Sequence, residues 1–318
     1  MDYETITGVK FQLPAFLLRG ELEPNLSLLS EMPKHSILTT GTKYTEADIK
    51  GKPEIAGRAK LAIEFFSRAR SLGYTVLAVD GGSDSGWRAS ARDLGVILID
   101  ENLDKFPGKH PIGRSRRQVF AEALNHSSNF PLITWCEPEK ITYITSSDGR
   151  NPISMAATPV YEGLADVVLP RRIDTSYYPA TQQAIELFCN LLCMKQVREY
   201  LRSKGLPEQE ATKCVPYLDE WCGPRTFNRE SAQKYWVEYT GEINGKPFDR
   251  WEPMNVAVWN MLIDGKRVRS VAVPYEHPAA QTALEDRSIA YDLKRIEQAQ
   301  FPLSALAELI GSKVQAAT

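Results

Sequence analysis

The sequence predicts an α/β fold: a mostly parallel central sheet flanked by helices over residues 36–170, followed by a C-terminal helical and mixed elaboration. Two observations carry this. Apolar runs of strand length, SILTT, TVLAV, GVILID and LITWC, alternate with amphipathic stretches of helix length. Several of the runs stop at small or acidic residues, Gly41 after the first, Asp80 after the second and Glu137 after LITWC, as strands do when their carboxyl ends face a ligand.

Taken in order, residues 1–35 read as an extended lead-in, because Pro14, Pro24 and Pro33 punctuate short apolar groups such as FLL and LSLL. A strand from Ser36 ends at Gly41-Thr42-Lys43. A helix over 58–72 follows, with Leu61, Phe65, Ala69 and Leu72 on one face; Gly73 closes it, and 75–79 is the next strand. This is one βαβ unit. A strand over 95–100, an arginine-studded helix over 112–124 and a buried strand over 132–136 come next. Residues 141–172 give a helix and a strand at 166–170, and 176–201 a turn and a long helix with Ile185, Phe188, Cys189, Leu192 and Val197 inward. The last third has no repeat but carries aromatic and polar clusters, WCGPRTFNR, YWVEY, DRWEP and YEHP, of the kind that stack on sugar rings or simply fill a core.

Length and charge bound the possibilities. At ~150 residues per domain, the chain is one large α/β unit with an elaboration. A net charge of -2 and a pI near 6.2 exert no global pull on nucleic acid or anionic membrane, so an anionic ligand must meet a local cluster. No signal-peptide pattern and no apolar run near the ~20 residues of a membrane span is present, so a cytoplasmic protein is expected. Five cysteines without CxxC spacing argue against a disulfide framework or structural zinc; Cys189 and Cys193 belong in the core.

The candidate chemistry lies at strand ends. The small-residue loop at Thr40 and Gly41 leaves N–H groups for a nucleotide base or phosphate, and Asp80 can accept from ribose or base, or else satisfy its own turn. Lys105, Lys109, Arg114, Arg116 and Arg117 gather before and on the first turns of a helix, where positive charge opposes the macrodipole; a bound diphosphate would resolve the conflict, and solvent is the alternative. Pro138 holds Glu137 and Glu139 at a strand edge, where paired carboxylates suit a divalent cation that also touches phosphate; a solvated turn with Glu139 beside Lys140 is the rival. His277 stands at a further strand end, as a ligand or as a structural histidine.

From Ser36 to His277 the order of these features resembles the GT-A (Rossmann-like) nucleotide-sugar glycosyltransferases, in particular a family-two-like branch similar to mannosylglycerate-synthase-like enzymes. The resemblance implies that Thr40, Gly41 and Asp80 hold the nucleotide. It implies that Glu137-Pro138-Glu139 stands where an acidic DxD motif binds a divalent cation, Mn or Mg, with His277 completing the shell. It also implies that Asp249 and Glu252 of DRWEP form the acceptor-side acidic motif that can furnish a general base. Glutamate replaces both aspartates, and the longer side chain moves the ligand oxygen outward, so Lys109 and the Arg114, Arg116 and Arg117 group are the alternative neutralisers of the diphosphate. On this reading 36–170 is the nucleotide-sugar-binding region and 171–318 the acceptor-binding region. Asp80, Arg114, Arg117, Glu137 and Glu139 should then share one cleft.

The expected function is transfer of a hexose from a nucleoside diphosphate sugar to a hydroxyl of a small-molecule or glycan acceptor. If the enzyme inverts, Glu252 or Asp249 is the base; if it retains, none is required. A non-catalytic nucleotide-sugar or glycan binder is the alternative from another class. A sugar-nucleotide pyrophosphorylase should carry a longer glycine-rich first loop than TTGTK.

Overall fold

The computed structural model describes residues 21–126, 128–277 and 289–315. Pro14 and FLL of the lead-in, and Pro278 of YEHP, lie outside the described residues. The centre is a seven-stranded sheet of order β3-β2-β1-β4-β6-β5-β9. Its strands are β1 (Ser36–Thr42), β2 (Thr75–Asp80), β3 (Ile97–Asp100), β4 (Leu132–Trp135), β5 (Val167–Arg172), β6 (Arg225–Asn228) and β9 (Val268–Val273). β1 lies parallel between β2 and β4, β3 extends β2, and β9 runs parallel to β5. β6 runs antiparallel to both β4 and β5. The sheet therefore continues past residue 170, because β6 and β9 come from the last third of the chain and flank β5 on both sides.

Both faces of the sheet are covered, which is why its strands read as near-continuous apolar runs. Ile37, Leu77, Val79, Ile133, Val167, Leu169 and Phe227 belong to one core. Leu38, Val76, Ala78, Leu132, Val168 and Val271 belong to the other. The second core is closed by helices α1 (Pro53–Ser71), α2 (Ser85–Asp93) and α4 (Pro152–Tyr161). Proline opens α1 and α4 at a position where no N–H bond is lost, and Asp84 and Asn151 accept from Trp87 N and Ser154 N to cap α2 and α4. The face of α1 that packs is Ala59, Ala62, Phe65, Phe66 and Ala69, whereas Leu72 ends the helix in solvent.

The first core is closed by α3 (Pro111–His126), α5 (Ala180–Ser203), α6 (Pro253–Ile263) and α7 (Ile289–Gln315). Here one expectation fails. Phe188 is 62% exposed, and the buried residues of α5 include Gln182, Gln183, Glu186, Cys189, Asn190, Cys193, Met194 and Val197. Cys189 and Val197 are buried and Ile185 packs on the core as expected, but the amino-terminal half of α5 also faces a polar cleft with Gln182 and Glu186, which leaves Phe188 on the solvent side. A short hairpin of β7 (Glu242–Ile243) and β8 (Lys246–Pro247) turns through Asn244 and Gly245 at φ 52 and 73, the left-handed pair that a two-residue hairpin requires. All five cysteines are free thiols. Among the described residues no helix is long and apolar enough to cross a membrane.

Candidate active site

A cleft of ≈ 580 Å³ opens at the carboxyl end of the parallel strands. β1 supplies Thr40, Gly41 and Thr42 to its wall, the segment after β4 supplies Glu137 to Lys140, β5 ends in it at Arg172, and antiparallel β6 begins in it at Arg225. α3 contributes Ser115 and Arg116, α6 Asn255, α5 Gln182 and Glu186, and α7 Lys294 and Arg295. His277 lies beyond β9 on the same wall. Eight lysines and arginines and five glutamates line it, a local excess of positive charge in a protein of net charge -2.

Residues 137–140 form a turn closed twice: Lys140 N donates to Glu137 O at 3.1 Å, and Lys140 Nζ pairs with Glu137 Oε2 at 2.5 Å. Pro138 occupies the second position of the turn, where its fixed φ is already suitable. Gly223 makes room for this carboxylate, since a Cβ there would stand 2.6 Å from Glu137 Oε2. Burial would raise the Glu137 carboxyl, but Lys140, with Arg116 and Arg225, outweighs it and holds the group below the usual carboxylate range. Glu139 goes the other way, raised by burial and by the charge of Glu137. Its neighbour Tyr44 is raised in turn by burial and by Glu139. The two carboxylates thus face different partners.

Arg116 is buried and sandwiched by tryptophans, its guanidinium carbon 5.2 Å from the Trp135 ring and 5.4 Å from the Trp251 ring, while Nη1 donates to Arg250 O at 3.0 Å. Burial lowers its pKa to about 10, so it remains a cation at neutral pH. Arg225 donates to Glu220 O, Cys222 O, Gly223 O and, at 2.9 Å, Asn255 Oδ1, which fixes the start of β6 to the start of α6. Arg172 is clamped by Asp219 at 2.7 Å and Glu186 at 2.8 Å. Burial and then Lys140, Arg172, Arg295 and Arg58 lower His277 to about 3, so its imidazole is neutral at pH 7.

Six predicted residues, Thr40, Gly41, Arg116, Glu137, Glu139 and His277, line the cleft; Asp80, Lys105, Lys109, Arg114, Arg117, Asp249 and Glu252 do not. The expected convergence of Asp80, Arg114 and Arg117 with the two glutamates is corrected accordingly. Asp80 is buried and accepts from Thr42 Oγ1 at 2.9 Å, Ser83 N at 3.0 Å and Gly82 N at 3.3 Å, with Arg88 3.1 Å away. Its acceptors are used by its own loop, by Thr42 and by Arg88, and of these partners Thr42 lines the cleft. Arg114 donates to Leu103 O, and Lys109 pairs with Glu242 near the surface. Arg117 forms a buried ion pair with Asp249 at 2.7 Å. Arg114 and Arg117 are therefore answered within the protein, by a carbonyl and a buried carboxylate, while Arg116 alone of the three lines the cleft.

Asp249 also accepts from His110 N at 2.9 Å and is enclosed by Gly108, Gly113 and Gly241, at each of which a Cβ would lie within 2.7 Å of an Asp249 atom. Glu252 is buried and accepts from Arg250 N at 2.8 Å, shaping the turn into α6. Of DRWEP, Trp251 is the residue that reaches the cleft. Arg172 and Arg225 are not among the residues the sequence assigns to the site; Arg172 follows the strand expected at 166–170, and Arg225 belongs to the WCGPRTFNR cluster.

Glu137, Glu139 and His277 share the wall, yet among the described residues no group of three or more His, Cys, Asp or Glu side chains is placed to hold a metal ion. A cation at this cleft would draw ligands from a bound diphosphate as well as from the protein. Glu139 and neutral His277 have the donor chemistry for two of its positions, whereas Glu137 is occupied by Lys140.

The chain is similar to solved structures, among them two at a TM-score of 0.50. Glucosyl-3-phosphoglycerate synthase of Mycobacterium tuberculosis is 12% identical, with 88% of this chain and 85% of that one covered. A structure described as a mycobacterial protein is 12% identical, with 88% and 77% covered. The synthase has also been solved with Mn2+, uridine-diphosphate-glucose and phosphoglyceric acid. No protein-family profile and no curated protein sequence matches this chain. At this identity the likeness establishes the fold, a GT-A-type mostly parallel α/β sheet.

Proposed function

We propose that this chain is a glycosyltransferase that binds a nucleoside diphosphate sugar in the cleft and transfers its hexosyl group to a hydroxyl of a small acceptor. The observation that supports it is the cation-rich wall at the carboxyl edge of a GT-A sheet, in a protein with no overall positive charge. Such a wall answers the charge that gathers on a departing diphosphate. The end of β1, with Thr40, Gly41 and Lys43, is the nucleotide side. The 137–140 turn with Arg116 and Arg225 is the diphosphate side. Trp251, Lys294 and Arg295 form the acceptor side, and their charge suits an acceptor carrying a phosphate or carboxylate, as phosphoglycerate does.

In this mechanism the protein's own work is orientation and charge stabilisation. Arg116 cannot swing, being held between two rings, so it presents a fixed cation to the leaving group. A divalent cation bound with the diphosphate would add Lewis-acid stabilisation, with Glu139 and His277 as its protein ligands. Asp249 and Glu252 stand off the cleft, so neither is assigned the role of base; a retaining course requires none.

The test is direct. Purified protein is incubated with UDP-glucose or GDP-mannose and with 3-phosphoglycerate or glycerate, in EDTA and in Mn2+, and nucleotide release and the anomeric proton of the product are followed by NMR. Acceptor-dependent release of nucleoside diphosphate is expected. Nucleotide-sugar binding without turnover would make the chain a binding protein. Absence of binding to either donor would overturn the reading of the cleft.

A further inference from the structure

The residue after Glu137-Pro138-Glu139 is Lys140, and its ammonium lies on the cleft wall against one of the two carboxylates at the strand end, 2.5 Å from Glu137 Oε2. The contact is built rather than incidental. Pro138 sets the turn, the Lys140 N–H closes it on Glu137 O, and Gly223 leaves the space into which the carboxylate fits. Arg116 and Arg225 act on the same carboxylate and line the same wall. The Glu137 carboxylate is thus faced by three cations, with Glu139 as its acidic neighbour.

An ammonium carries three donors, and contact with one carboxylate oxygen cannot engage all of them. We propose that Lys140 is a built-in cation for the diphosphate: it directs its remaining N–H groups to the diphosphate oxygens of the bound nucleotide sugar. It then supplies part of their neutralisation from the polypeptide itself, so that nucleotide binding persists without a divalent ion. This rests on the reading of the cleft as a donor site. Glu137 competes with the diphosphate for the ammonium, so the two acidic residues differ in role: Glu137 moderates the cation, and Glu139 is left as the residue of ligand chemistry.

Isothermal titration of UDP, with GDP in parallel, into the full chain in EDTA and in Mn2+ tests this. Wild type should bind one of the two nucleotides in EDTA. Lys140→Gln should bind it about tenfold or more weakly there, the loss of a charge-assisted hydrogen bond, and Lys140→Arg should restore most of the affinity. Glu137→Gln, which releases the ammonium from its partner, should bind more tightly than wild type in EDTA. Circular dichroism spectra and melting curves matching wild type establish that each variant is folded. If Lys140→Gln binds within about twofold of wild type in EDTA, or if Lys140→Arg is as weak as Lys140→Gln, the inference fails while the donor site stands. If wild type binds neither nucleotide even with Mn2+, the reading of the cleft fails first.

Discussion

Glu220 is buried beside the cleft, its Oε1 accepting from Trp259 Nε1 at 2.7 Å, and burial, against the pull of Trp259 and Arg225, raises its carboxyl from 4.5 to about 7. A carboxyl whose pKa is higher in the folded state favours folding while protonated. That contribution is complete below pH 4.5 and is lost as pH rises through 7. The corresponding shift amounts to about 3 kcal/mol. Glu220→Gln should therefore match wild type in stability near pH 4 and exceed it at pH 8, and urea denaturation at the two values measures the difference. Asp249 makes the opposite case at the same scale. Asp249→Ala would leave Arg117 charged and buried in a pocket shaped by three glycines, at a cost of about 3–5 kcal/mol. An unfolding free energy within about 1 kcal/mol of wild type would show that the ion pair does not hold that pocket together.

At the scale of elements, what the sequence made legible was whatever depends on near neighbours. β1, β2 and β4 are legible as apolar runs because each is buried on both faces and flanked by turn residues, and β3, at the sheet edge, because both its faces are partly covered. β6 was not, because RTFN places a fully buried arginine and a threonine in a four-residue strand; its fit depends on partners far away in sequence, Thr226 Oγ1 lying 2.9 Å from Thr134 Oγ1. The same limit governs the site. Glu137, Glu139 and His277 were legible as strand-end residues, but nothing local shows that Arg117 turns to Asp249 while its neighbour Arg116 is sandwiched between Trp135 and Trp251. That sandwich carries its own prediction. Trp251 is 41% exposed and covers Arg116 from the cleft side, so Trp251→Ala should lower stability by no more than about 1 kcal/mol. It should weaken binding of UDP-glucose several-fold and diminish the change in tryptophan fluorescence on binding. Undiminished affinity would remove Trp251 from the sugar and acceptor side of the cleft.

At the scale of the whole molecule, the sheet ties the two halves of the chain together. β5 has two neighbours in the sheet, β6 and β9, and both are made from residues after 170. The cleft is divided the same way: Thr40 and Glu137 come from the first half, and Arg225, Asn255 and Lys294 from the second. A fragment of residues 1–172 would leave β5 with neither partner and would expose the face of β4 that Phe227 and Trp236 cover. It should fail to fold, appearing aggregated or unstructured by circular dichroism. The intact chain should unfold in one transition, with far-ultraviolet dichroism and tryptophan fluorescence coincident in urea, because neither half can keep its part of the sheet when the other is lost. Two separable transitions, or a soluble fragment that melts cooperatively, would instead mean that the nucleotide side is an independent domain and that the acceptor side is a later addition docked on its edge.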